Sequence, residues 1–80
     1  MYKIYYLELT KHLSQLGISH LAYLYACGFN NPYKTHERLL ARDTINDWIK
    51  FQLEKGLQKL EIDATPYFEE VDNSYFLGKI

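Results

Sequence analysis

The sequence predicts an α+β fold: a small, mainly antiparallel sheet of about four strands with helices packed on one face, in the order β-α-α-β-β-β. Three observations predict it. An aromatic, strand-like run opens the chain at residues 2–9, and the middle of the chain repeats apolar residues at steps of three and four. Strict alternation then returns after Gly56.

The opening run, Tyr2 to Leu9, sets Tyr5, Leu7 and Leu9 against Ile4, Tyr6 and Glu8, so a strand here has two partly apolar faces. Thr10 is placed to cap a following helix. Leu13, Leu16, Gly17, His20, Leu21, Leu24 and Gly28 then trace one helical face, with Ile18, Ala22, Tyr25 and Phe29 as a second apolar row. This predicts a helix ending near Cys27, with Gly28 in the left-handed stop position. The competing reading breaks it at Gly17-Ile18, with Ser19 capping a shorter second helix.

Residues 29–34, Phe-Asn-Asn-Pro-Tyr-Lys, read as a loop. Thr35 caps a second helical region; if it runs as one helix from about 36 to 56, Leu40, Ala41, Ile45, Trp48, Ile49 and Leu53 lie on one face and Gly56 stops it. Lys50 and Glu54 are four apart on its outer surface, and Asp43-Thr44 offers a break at which Asp43 could cap a separate helix. Residues 57–63 alternate, with Leu60 and Ile62 inward, which predicts a strand ending at Thr65-Pro66. Residues 67–71 and 75–80, joined through Asp72-Asn73-Ser74, read as a hairpin.

Eighty residues suit a single domain spanning 1–80, and 48% hydrophobic with 24% charged residues is a globular composition. Aromatics reach 16%, and eight of the thirteen are tyrosine, which reads first as the bulk of a small core with few Val and Ile and only second as a dedicated binding face. The single cysteine, Cys27, allows no intramolecular disulfide. Residues 1–20 lack a basic region followed by an apolar run, so the expectation is a cytoplasmic chain with no signal peptide and no membrane span.

Catalytic and metal chemistry find little footing. His12 and His20 are eight apart, roughly 12 Å along a helix, too far to share an ion. Cys27 sits at an expected helix C-terminus, where the dipole disfavours a thiolate. His20 lies on the apolar stripe and reads as a core or boundary histidine. The glycines are isolated, so no phosphate cradle forms, and adjacent Glu69 and Glu70 point to opposite faces of a strand. No enzyme activity, cofactor or metal is expected.

Charge is distributed unevenly around a net of −1. Residues 61–80 carry −4, with Lys79 set against Glu61, Asp63, Glu69, Glu70 and Asp72. Tyr67 and Tyr75 stand among these acids. The leading expectation is a non-enzymatic regulator or inhibitor that occludes a larger protein partner through this acidic, aromatic end. The partner would present a basic patch, and the acids would imitate nucleic-acid charge in the extreme case, a strategy suited to a phage or other mobile element. A nucleic-acid-binding regulator using Lys34, Arg38 and Arg42 is the alternative. Glu37, Asp43 and Asp47 are interleaved with those cations, and the negative net charge argues against it. A self-associating subunit, pairing as a homodimer through tyrosines and an open strand edge, is the third reading.

Overall fold

The computed structural model describes residues 1–71. It has an α+β architecture of four helices and a three-stranded antiparallel sheet among the described residues. The elements run β1 (Tyr2–Ile4), α1 (Tyr6–Gln15), α2 (His20–Ala26), α3 (Pro32–Ala41), β2 (Thr44–Ile45) and α4 (Asp47–Lys59). A 3-10 turn at Thr65–Tyr67 and β3 (Phe68–Glu70) follow. The sheet order is β2-β1-β3, with Tyr2 opposite Ile45 and Glu70, Lys3 opposite Thr44 and Glu69, and Ile4 opposite Phe68. Cross-strand partners share a face, so Ile4, Ile45 and Phe68 lie on the core side and Lys3, Thr44 and Glu69 on the other.

The first expected strand is shorter than residues 2–9. It gives way to a helix at Tyr6, because Tyr6, Leu9 and Leu13 recur at helical spacing and all three are buried. Thr10 is inside α1, not its cap, and its hydroxyl donates back to the Leu7 carbonyl at 3.1 Å.

The one helix expected to run on to Cys27 is two, broken at Gly17 as the competing reading has it. Gly17 has φ 77°, its N–H reaches the Ser14 carbonyl, and the N–H of Ile18 reaches the Leu13 carbonyl at 2.9 Å. This paired bonding to the last helical turn is the Schellman stop, which a glycine adopts without Cβ strain. Ser19 then caps α2 by accepting from the Ala22 N–H at 3.1 Å. Gly28, at φ 94°, ends α2 in the same manner.

Asn31 and Pro32 open a helix where the sequence suggests a loop. The Asn31 side chain accepts from the Lys34 N–H at 3.2 Å, and Pro32 takes the first helical position, where its missing N–H costs nothing. Thr35 is within this helix and is not its cap; its hydroxyl donates to the Asn31 carbonyl.

Of the two readings over 36–56, the structure has the broken one, with a helix on either side of the Asp43-Thr44 break. Arg42 turns extended, Thr44–Ile45 pairs with β1, and Asn46 caps α4 by accepting from the Ile49 N–H at 2.9 Å. Asp43 does not cap; its carbonyl accepts from the Ile4 N–H at 2.7 Å.

Nor does the strand expected at 57–63 form. α4 runs through Gly56 to Lys59, because Leu53 and Leu57, four apart, are both fully buried. Glycine at 56 marks a close approach: a Cβ there would stand 2.2 Å from the Cys27 sulfur. The strand expected at 67–71 is present over Phe68–Glu70 as β3, paired with β1, and the expected hairpin partner at 75–80 lies outside the described residues.

One buried cluster holds these elements together. Leu9 and Leu13 from α1, Tyr23 and Leu24 from α2, and Leu53 and Leu57 from α4 are wholly enclosed within it. The Tyr23 hydroxyl donates to the Leu53 carbonyl at 2.7 Å, so the buried polar atom is satisfied where α2 packs on α4.

Candidate functional site

The described acids of the C-terminal end fall in two places. Glu61 and Asp63 occupy the turn after α4, and Glu69 and Glu70 lie on β3; all four are exposed. None has an ion pair among the described residues, whereas Asp43, Asp47 and Glu54 each face a cation. Glu8 and Glu37 are also unpaired, but each stands three positions from a lysine of its own helix, Lys11 and Lys34.

Each acid is held differently. Asp63 accepts from the Thr65 N–H at 3.1 Å and the Thr65 hydroxyl at 2.8 Å, and these bonds, the backbone one first, keep its carboxyl below the usual range. Glu69 accepts from the Tyr5 hydroxyl at 2.6 Å. Lys3, across the strand from Glu69, directs its ammonium to Asp43 at 4.0 Å and over the Tyr5 ring. Glu61 has φ 57°, the left-handed position that ends α4. Its N–H reaches the Gln58 carbonyl and that of Ile62 the Leu57 carbonyl. Glycine takes this position without strain, and glutamate does not.

Tyr67 is not a rim aromatic. Only 7% of it is exposed, and its hydroxyl bonds to Nδ1 of His12 on α1. Asp72 and Tyr75 lie outside the described residues.

Lys34, Arg38 and Arg42 are all exposed on or just after α3. Arg38 and Arg42 line a groove of about 380 Å3 between α3 and the start of α4. No ion pair engages either guanidinium among the described residues. Lys34 is outside the groove lining. Trp48 lines the same groove, 59% exposed and edge-on to Phe29 with ring centroids 6.1 Å apart. Expected on a buried helical face, Trp48 is the surface residue that periodicity misses. Once Asn46 restarts the helix, the register of Ile49 and Leu53 turns Trp48 outward. Its signal in the sequence was the Thr-Ile-Asn-Asp stretch, Asn46 being a strong cap.

The histidines form two separate contacts. His12 meets Tyr67, while His20 and His36 stack with centroids 3.8 Å apart, and His36 Nδ1 is 2.6 Å from the Tyr6 hydroxyl. Burial raises the pKa of Tyr6. Tyr6 therefore stays protonated, and its hydroxyl serves either Nδ1 tautomer of His36, donating to a bare Nδ1 or accepting from a protonated one. Among the described residues no three potential ligand side chains gather as a metal site. Burial pushes the Cys27 thiol up to about 11, so at neutral pH it is protonated and a poor nucleophile. No described helix is long and apolar enough to cross a membrane.

The stacked pair gives stability a pH dependence. Burial first, and then the charge of His20, hold the His36 imidazole below its usual range, against a smaller upward pull from Glu37. A base with a lowered folded pKa binds fewer protons folded than unfolded. Its stabilising contribution is complete above the unfolded value of about 6.5 and is lost as pH falls from there through the folded value. Urea midpoints at about pH 7.5 and about pH 5 should therefore differ more for the native chain than for His36→Gln. Equal differences in the two proteins would remove His36 as the source.

Comparison with known proteins finds no family model that matches the chain, no matching curated protein and no matching solved structure.

Proposed function

We propose that this protein is a non-enzymatic, protein-binding regulator that docks its acidic end on a basic patch of a larger partner and occludes it. The observation that carries this reading is Glu61. A glutamate occupies the left-handed stop of α4, where glycine would relieve the backbone, and it joins three further exposed carboxylates without a cationic partner among the described residues. Unpaired surface charge of one sign raises encounter rates with an opposite patch and repels wrong partners. Tyr67, buried in the turn that enters β3 and bonded to His12, supports this end from within, while Tyr5 orients Glu69.

The test is capture of the partner from host lysate with the native chain and with a Glu61→Lys, Glu69→Gln, Glu70→Lys variant. Asp63 is left in place because it holds the Thr65 turn. Glutamine at 69 keeps an acceptor for Tyr5. The variant is expected to fold normally and to lose the captured protein at physiological salt, with native capture weakening as salt rises. Undiminished capture by a folded variant would retire the acidic end as the docking surface.

A further inference from the structure

The α3–α4 groove combines three features. Its lining includes the buried Leu39 and Ile45 and the half-buried Ile49. An exposed tryptophan, Trp48, lines it too. So do Arg38 and Arg42, neither guanidinium being spent on an ion pair among the described residues. We propose that this groove docks an acidic peptide segment of a partner protein, with carboxylates on Arg38 and Arg42 and one bulky apolar side chain against Trp48. The site is separate from the acidic end and stands whether or not that end binds.

Charge selects the occupant. Arginine matches a carboxylate with two parallel hydrogen bonds, and tryptophan and arginine are the residues that most often dominate binding energy at protein interfaces. A volume of about 380 Å3 lies at the lower end of ligand pockets and suits one anchoring side chain. A nucleic-acid strand fits the same surroundings poorly. Only two cationic side chains line the groove, and Glu37, Asp43 and Asp47 flank them in the chain; Met1 lines it as well, with its ammonium turned to Asp47 at 3.5 Å. A polyanion following the surface would meet those acids, and the net charge of the chain opposes it further. A short segment with one or two carboxylates need touch only the arginines.

The chain supplies its own reporter, because Trp48 is its single tryptophan. The probe is a displayed library of random linear peptides, selected on the native chain and counter-selected on an Arg38→Glu, Arg42→Glu variant shown by circular dichroism to be folded. The expected result is enrichment of peptides that place Asp or Glu beside a bulky apolar residue. A synthetic copy of the winner should shift Trp48 emission and bind the charge-reversed variant at least about tenfold more weakly. Trp48→Ala should weaken it comparably. Three results would overturn the proposal: selection without an acidic-apolar consensus, Trp48 emission that responds to a single-stranded oligothymidylate and not to the peptide, or sedimentation showing a native dimer that the double reversal dissociates. None of these readouts depends on Glu61, Glu69 or Glu70, so the groove and the acidic end succeed or fail independently.

Discussion

Gly56→Ala should destabilise this protein by about 1–3 kcal/mol or more, although alanine is worth about 1 kcal/mol over glycine in a helix interior. The sign reverses because the methyl group has nowhere to go. It would stand 2.2 Å from the Cys27 sulfur and 3.0 Å from Cε1 of Tyr23, where α2 crosses α4. Both neighbours are buried, so relief requires moving one helix off the other. Cys27→Ala removes the sulfur and leaves its Cβ 3.4 Å from the new methyl. The double variant should therefore be more stable than the sum of the two single losses predicts, by about 0.5–3 kcal/mol. Urea denaturation of the four proteins measures it. A Gly56→Ala chain as stable as the native one would show that the helices are not in the contact described.

The same glycine shows why part of the fold was hidden. From the sequence, Gly56 looked like a helix stop, because its reason for being glycine is a cysteine on another helix. The alternation of Leu60 and Ile62 then looked like a strand, whereas Ile62 in fact carries the N–H that closes α4. Tyr2 to Leu9 satisfies two periods at once, and only the burial of Tyr6 with Leu9 and Leu13 decides for the helix. β2 is two residues long and exists through its pairing with β1, so no propensity could announce it. Signals that act locally were legible, Gly28 as a stop and Cys27 as a buried thiol, while Ser19 as a cap belongs only to the competing reading that breaks the first helix. The α+β class was legible because it rests on the balance of the two periods, not on any one boundary.

The candidate surfaces divide along the same line. Charge could be counted, so Glu61, Asp63, Glu69 and Glu70 stood out, as did Arg38 and Arg42. What faces what could not be counted. The groove needs Trp48 outside, and a continuous helix over 36–56 would have buried it. Likewise Tyr67 carries the same letter whether it rims a docking surface or fills the core.

Tyr67→Ala should be among the most damaging substitutions in the chain, costing about 3–5 kcal/mol, the range for truncating a buried aromatic. A protein of this size has about 4–12 kcal/mol in total. The ring is 7% exposed and sits where the 3-10 turn enters β3, and the Tyr67 carbonyl accepts from the Tyr5 N–H at 2.9 Å, tying that turn to the start of α1. Truncation would open a cavity at this junction and leave His12 without its hydroxyl partner. Tyr67→Phe keeps the ring and loses only the hydroxyl, and His12 is half-buried, so water can replace the bond; about 0.5–1.5 kcal/mol is expected. The two variants separate scaffold from surface. If Tyr67 works from within, Tyr67→Phe captures the partner as the native chain does, while Tyr67→Ala loses capture only in step with its loss of folded protein. A stable Tyr67→Ala chain that fails to capture would return the ring to the docking surface and contradict its burial.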